Sequence, residues 1–185
     1  MNPLLLKVPD QIETRRLLLR PPKLSDAGEL NRLEQDSFRE LHKWMPWGRT
    51  MPTLAATEEF CRQSAIDYEV RREFPMLLTL RDTRQIIGGC GLIRGDWTVP
   101  KFEVGYWLAT AHTGCGYMIE AVNSLIGFAR RHLKVWRLEI RTDARNRRSV
   151  RVAERAKFKL EGALRNDGRD NRGRLRDTLV FARTF

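Results

Sequence analysis

Cysteine and histidine are scarce in this sequence, and acidic residues fall well short of basic ones. The three cysteines, Cys61, Cys90 and Cys115, lie far apart. An odd number at such spacing excludes a disulfide framework and a metal-binding pair, and predicts reduced thiols in a cytoplasm. The three histidines, His42, His112 and His132, are equally scattered, so no metal site is expected. No apolar run exceeds a few residues, which argues against a membrane-spanning helix and a membrane partner. The opening MNPLLLKVPD has too short an apolar block, and no small-residue cleavage site, for a secretory signal. Repeats and long linkers are missing too, so residues 1–185 are expected to form a single domain.

Positive charge is what the sequence has in excess. Lys and Arg number 34 against 23 Asp and Glu, a net charge of +11. The basic residues thicken towards the end, in DARNRRSVRVAERAKFK and LRNDGRDNRGRLRD. Such a field attracts polyanions: nucleic acid, a phosphorylated cofactor or an acidic protein. The apolar fraction, 42%, is enough for a packed core.

Residues 15–22 read as a short strand stopped by two prolines. Residues 25–44 suit one helix, with a serine cap, Glu29 nearby and Leu30, Leu33 and Leu41 on its apolar face. Residues 45–52 form a loop. A second helix is expected over 53–73, capped by Thr53, with Phe60, Ile66 and Val70 inward. Residues 75–93 resemble a hairpin, and 101–109 a further strand. Helix 116–133, strand 135–144 and helix 146–158 follow, and two closing segments can pair as strands. The order predicts a mixed α/β fold: a central sheet flanked by helices.

The stretch LATAHTGCGYMIEAV, residues 108–122, places two glycines between a strand and an amphipathic helix. A helix N-terminus offers unpaired N–H groups and partial positive charge. Gly114 and Gly116 let the backbone approach a ligand, so the loop reads as an anion cradle, with a ligand-free turn as the alternative. The spacing is neither that of a P-loop nor that of a dinucleotide fingerprint.

Taken with EVGYWLATAHTGCGYMIEAV, VWRLEIRTDARNRRSVRVAERAKFKLEGALR and GRLRD, the chain resembles the GNAT superfamily of acetyl-CoA-dependent N-acetyltransferases. TRRLLLRPPKLSDAGEL and WMPW resemble its RimJ/RimL branch, which acetylates the amino termini of ribosomal proteins. The resemblance implies a GNAT fold and acetyl-CoA as co-substrate. The pyrophosphate would lie over residues 112–118: His112, Thr113, Gly114, Cys115, Gly116, Tyr117 and Met118. Asn146 would hydrogen-bond the pantetheine arm, and Ser149 would lie near the thioester sulfur. Trp107 and Leu108 would supply backbone donors to the carbonyl oxygen. The chain departs from the family at Ala111, where Arg or Gln is usual. It departs again at Lys157-Phe158, where Gly-Phe is usual, and at Phe181, where tyrosine is usual. A homodimer stays open.

Acetyl transfer to an amine needs a positioned neutral amine, donors for the developing oxyanion and a proton for the leaving thiolate. A thiol of pKa about 8.5 leaves readily, so Ser149 suffices as the acid. Candidate bases are Glu103 and Asp167, with strand and turn roles as their alternatives, and His112 is a third titratable group nearby. Trp44, Met45 and Trp47 are either a wall of the acceptor pocket or loop packing. The leading acceptor is the α-amine of a protein N-terminus, acidic by charge complementarity. A small-molecule amine is the alternative substrate. Nucleic-acid binding is the alternative function, but no helix-turn-helix, zinc or base-stacking motif supports it.

Overall fold

In the computed structural model, which describes residues 2–185, eight strands form one sheet in the order β1-β2-β3-β4-β5-β6-β8-β7. The strands are β1 Ile12–Glu13, β2 Leu17–Arg20, β3 Phe74–Leu80, β4 Ile86–Asp96, β5 Lys101–Leu108, β6 Arg137–Asp143, β7 Lys159–Arg169 and β8 Leu175–Thr184. The helices are α1 Ala27–Asp36, α2 Phe38–Trp44, α3 Leu54–Glu69, α4 Tyr117–Phe128 and α5 Arg147–Arg155. Among the described residues, no helix is long and apolar enough to cross a membrane.

Strand alternation divides the core between the two faces. Leu17 and Leu19, Met76 and Leu78, and Ile87 join the large cluster beneath α4. Leu77 and Ile86, one residue out of phase, join a smaller cluster with Leu30 and Cys61 of α1 and α3. The same rule sends neighbouring residues of β5 to opposite sides. Tyr106 and Leu108 pack towards α4, and Trp107 towards α1. Gly89 of β4 makes room for that indole, since a Cβ there would lie 2.9 Å from Trp107 Nε1.

Four expectations are corrected. The helix expected over 25–44 breaks at Ser37, whose φ of −98° and ψ of 1° leave the helical region. Its hydroxyl instead accepts the Thr110 amide at 3.2 Å, tying the break to the end of β5. The expected serine cap is also absent. Asp26 precedes α1 without capping it, and Glu29 accepts from the Ile86 amide at 2.8 Å. On α3, Phe60, Ile66 and Val70 are about half exposed, while Thr57, Cys61, Ser64, Asp67 and Tyr68 are buried. The inward face is polar because partners meet it there: Thr57 donates to Glu34 at 2.9 Å, and Asp67 accepts from Gln63 at 3.0 Å. Finally, the helix expected to reach residue 133 ends its α-helical run at Phe128 and closes in a π-helical turn over Ala129–Leu133. Thr53 does cap α3, accepting from the Ala56 amide at 3.2 Å.

A polar knot fixes the start of α4 to the β1–β2 turn. One Glu120 oxygen accepts from the Thr14 hydroxyl at 2.7 Å and the Arg16 amide at 2.8 Å; the other accepts Arg16 Nε at 2.7 Å. Burial alone would push this carboxyl up, but the bonds from Thr14 and Arg16 outweigh it and hold the group below the ordinary range. A folded pKa below the unfolded one gives stability that is full above an ordinary carboxylate pKa of about 4.3 and fades as pH falls through the folded value. Glu120→Gln should therefore cost about 1–2 kcal/mol at pH 7, lowering Tm by roughly 2–8 °C. Thermal melts should show the gap to the parent narrowing towards pH 3, and a gap indifferent to pH would mean the charge is not its source.

Candidate active site

Gly114 and Gly116 have φ of +85° and +80°, in the left-handed region that costs an L side chain energy. Gly116 is the N-cap of α4, and no side chain caps that helix. The partial positive charge of its first-turn amides is thus left for a ligand. A Cβ on Gly114 would meet nothing within 4 Å, so the loop faces open space. Arg16 braces it from the other side: Nη1 donates to the Cys115 carbonyl at 3.0 Å, and the guanidinium stacks 4.5 Å from the Tyr117 ring centre.

Next to the loop the sheet opens. β5 and β6 pair in parallel at only three positions, ending at Glu103↔Glu139. From Val104 onwards β5 pairs with β4 alone, and from Ile140 onwards β6 pairs with β8 alone. The edge of β5 facing the gap therefore carries backbone groups with no strand partner, free to bind an extended ligand or a carbonyl oxygen.

Tyr106 reaches across this gap to α5. Its hydroxyl shares a 2.9 Å hydrogen bond with Ser149 Oγ and lies 3.3 Å from the Ser149 carbonyl oxygen. Burial pushes the phenol up to about 12, so it keeps its proton at neutral pH. Asn146 caps α5, its side chain accepting from the Ser149 amide at 3.2 Å. That bond fixes the serine backbone at the mouth of the gap.

Two cavities meet here. A groove of about 320 Å³ runs between the glycine loop and α5, lined by Leu108, Thr113, Gly114, Gly116, Tyr117 and Met118 on the loop side. A cleft of about 1160 Å³ opens on the α1 and α3 side, walled by Met51, Phe60 and Glu34 among others. Trp44, Met45, Tyr106, Trp107, Asn146 and Ser149 line both. Trp47 lines the larger cleft and meets Trp107 edge to face at 5.9 Å. The Trp44–Trp47 loop is held by Asn171 of the β7–β8 turn, which donates to the His42 and Met45 carbonyls at 2.8 Å each. His42 Nδ1 contacts the Gly48 carbonyl at 2.9 Å.

The structure brings most of the sequence-selected residues to these walls. Glu103 and Asp167 line the larger cleft. Glu103 is ion-paired with Arg94 at 2.7 Å, and Asp167 lies 3.8 Å from Arg141. His112 and Cys115 line neither cavity: His112 leans on Tyr117, with ring centres 6.4 Å apart, and Cys115 is exposed to solvent. Two residues escaped the sequence reading. Tyr106 had no signal, because its partner is 43 positions away. Glu34 had one, since it falls four residues after Leu30 on the apolar face of α1. Burial pushes the Glu34 carboxyl up against the single hydrogen bond from Thr57.

The loop geometry sets its own test. Gly116→Val forces a β-branched side chain into a left-handed conformation, with its Cβ 3.5 Å from Arg16 Nη2. It should raise the Kd for acetyl-CoA at least roughly tenfold in calorimetry, the equivalent of about 1.4 kcal/mol. Unchanged affinity in a folded variant would place the cradle elsewhere.

The family profile described as "Acetyltransferase (GNAT) domain" matches residues 16–159. The probable N-acetyltransferase YjcK of Bacillus subtilis is 41% identical over 168 residues, covering 86% of this chain and 90% of that protein. The ribosomal-protein-serine acetyltransferase of Escherichia coli is 24% identical, over 77% of this chain and 85% of its own length. Among solved structures, RimL, a ribosomal L7/L12 α-N-protein acetyltransferase in complex with coenzyme A, superposes with a TM-score of 0.89 at 21% identity, covering 95% of this chain and 98% of that one. A parted pair of parallel strands, a glycine loop opening α4 and a family match over most of the chain agree: this protein belongs to the GNAT family and is an acetyl-CoA-dependent N-acetyltransferase.

Proposed function

We propose that the acceptor is the α-amine of a protein N-terminus, and that it attacks the thioester directly in a ternary complex. The observation that carries this is the meeting of a smaller groove and a larger cleft at Tyr106, Trp107, Asn146 and Ser149. A ligand in each can touch the other there without a covalent enzyme intermediate. At about 1160 Å³ the cleft exceeds what a drug-sized ligand usually fills, and suits an extended peptide end. The E. coli relative's name, a ribosomal-protein-serine acetyltransferase, supports the same class of acceptor.

Acetyl-CoA supplies the acetyl thioester: the amine nitrogen bonds the carbonyl carbon, the C–S bond breaks and the thiol leaves. The protein's residues do the rest. The α4 amides behind Gly114 and Gly116 hold phosphate charge, with His112, Thr113, Cys115, Tyr117 and Met118 shaping the loop. The Asn146 side chain caps α5 and faces the pantetheine path. The Leu108 N–H faces the free edge of β5 and is offered to the carbonyl oxygen. The Trp107 N–H, expected to share that role, is in phase with Ala109, whose amide donates to the Ile87 carbonyl at 2.8 Å, and so points to β4. When Tyr106 donates to Ser149 Oγ, the serine's own proton is free for the departing sulfur. An α-amine of pKa about 7.7–8.0 is partly neutral at physiological pH, so a carboxylate acting through water is base enough. Glu103 and Asp167, both on the cleft wall, fill that role. The three unpaired thiols are consistent with a reducing cytoplasm.

Release of free CoA thiol tests the reading. N-terminal peptides should turn over, an acidic-tailed one faster than a neutral one, and spermidine slowest. The acidic peptide's rate should fall as salt rises, because exposed charges are screened over about 10 Å at 0.1 M. A preference for spermidine or another small amine would overturn the acceptor assignment. Ser149→Ala should lower kcat by roughly ten- to a hundredfold with little change in the KM for acetyl-CoA. Tyr106→Phe should add little to it in the double variant, because both changes remove one shared unit. Fully additive losses would separate the two residues.

A further inference from the structure

Helix α5 turns a row of arginines onto the groove wall opposite the glycine loop. Arg148, Arg151 and Arg155 all line it, at spacings of three and four that place them on one helix face. The row spans roughly 10 Å of helix. The other side of α5 is apolar: Ala153 is buried, and Val150 packs against the main core.

Among the described residues, ten of the 24 arginines outside this row have a carboxylate within 4.0 Å. Arg16 pairs with Glu120, Arg20 with Asp26, Arg137 with Glu161, and Arg145 with Asp143 and Asp170. On the groove wall, Glu40 is the single carboxylate among the described lining residues. It stands 4.0 Å from Arg148. Arg151 and Arg155 have no ion pair or side-chain hydrogen bond among the described residues. Two exposed, unpartnered guanidinium groups thus face a loop that is itself built to take an anion.

CoA carries more phosphate than that loop can hold. Its pyrophosphate accounts for the α4 amides, and the ribose 3′-phosphate remains, with close to two negative charges near neutral pH. A rigid fork of donors is the arrangement that binds a phosphate by two parallel hydrogen bonds. We propose that Arg151 and Arg155 clamp the 3′-phosphate, so that this enzyme selects CoA over its dephospho form. The clamp rests on acetyl-CoA occupying the groove. It would also supply the cationic contact that a side chain at Ala111 cannot make.

Calorimetry without any acceptor tests it, with CoA and dephospho-CoA as the probes. The parent should bind CoA about tenfold or more tightly than dephospho-CoA at low salt, and the difference should shrink as salt rises. The double variant Arg151→Gln/Arg155→Gln should bind CoA within about twofold of dephospho-CoA, with its dephospho-CoA affinity unchanged. Arg151→Lys/Arg155→Lys, which keeps the charge and loses the fork, should fall between. Circular dichroism should match the parent in every case, since both arginines are exposed. Equal binding of the two probes by the parent would overturn the clamp. Equal weakening of both probes in the Gln variant would also overturn it, assigning the arginines to the pyrophosphate instead. Failure of the parent to bind either probe would remove the cofactor assignment itself and the clamp with it.

Discussion

The parallel ladder between β5 and β6 stops after three residue pairs, and the site depends on that stop. A sheet that continued would satisfy its own backbone and leave nothing to bind. By parting at Glu103 and Glu139, the two strands leave the edge of β5 without a strand partner where it approaches the glycine loop. The gap is bridged by side chains instead, Tyr106 to Ser149, so the helix that follows β6 stays at a fixed distance from β5. An unpaired backbone edge in a half-buried site is costly unless something polar fills it. The fold thus holds an unsatisfied edge in place for a ligand to satisfy.

Holding that opening takes polar ties over long sequence distances. Glu120 joins the start of α4 to Thr14 and Arg16, more than a hundred residues earlier. Asn171 joins the β7–β8 turn to the end of α2, and the Ser37 hydroxyl joins the α1–α2 break to the end of β5. Each tie involves a backbone group or a charged side chain, and none belongs to the apolar core clusters. The core beneath α4 is built from Leu, Ile, Val, Phe and Met and fixes the sheet. The polar ties then fix the loops that the sheet alone would leave loose.

Charge is organised at the same scale. Thirteen of the 34 lysines and arginines have a carboxylate within 4.0 Å among the described residues, so most of the positive charge is unpaired. Exposed pairs of this kind contribute little stability one by one. What matters is where pairing fails. Arginines without carboxylates line the α5 side of the groove, and the α4 amides point at it from the other side. In the larger cleft the carboxylates Glu34, Glu103 and Asp167 mix with Arg94 and Arg141 between aromatic walls. The two cavities therefore differ in chemistry as well as size.

Local pattern determined a good deal of this protein. Apolar segments bounded by prolines and turns marked the strands, and the interval between Gly114 and Gly116 marked a loop that takes positive φ, a conformation glycine adopts without strain. Thr53 was legible as a cap because capping is a local hydrogen bond. Pattern failed on α3, where Phe60, Ile66 and Val70 face outward. The inward side is chosen by polar partners on other elements, such as Glu34 for Thr57, and periodicity does not record partners. It failed at Ser37 for the same reason, since the hydroxyl that accompanies the helix break answers an amide 73 residues away. Local sequence thus determined the elements, the loop and the cap, whose energetics involve neighbours in the chain. Tertiary structure alone decided where β5 and β6 part, that Tyr106 meets Ser149, and which arginines stay unpaired, because each depends on groups that only the folded chain brings together.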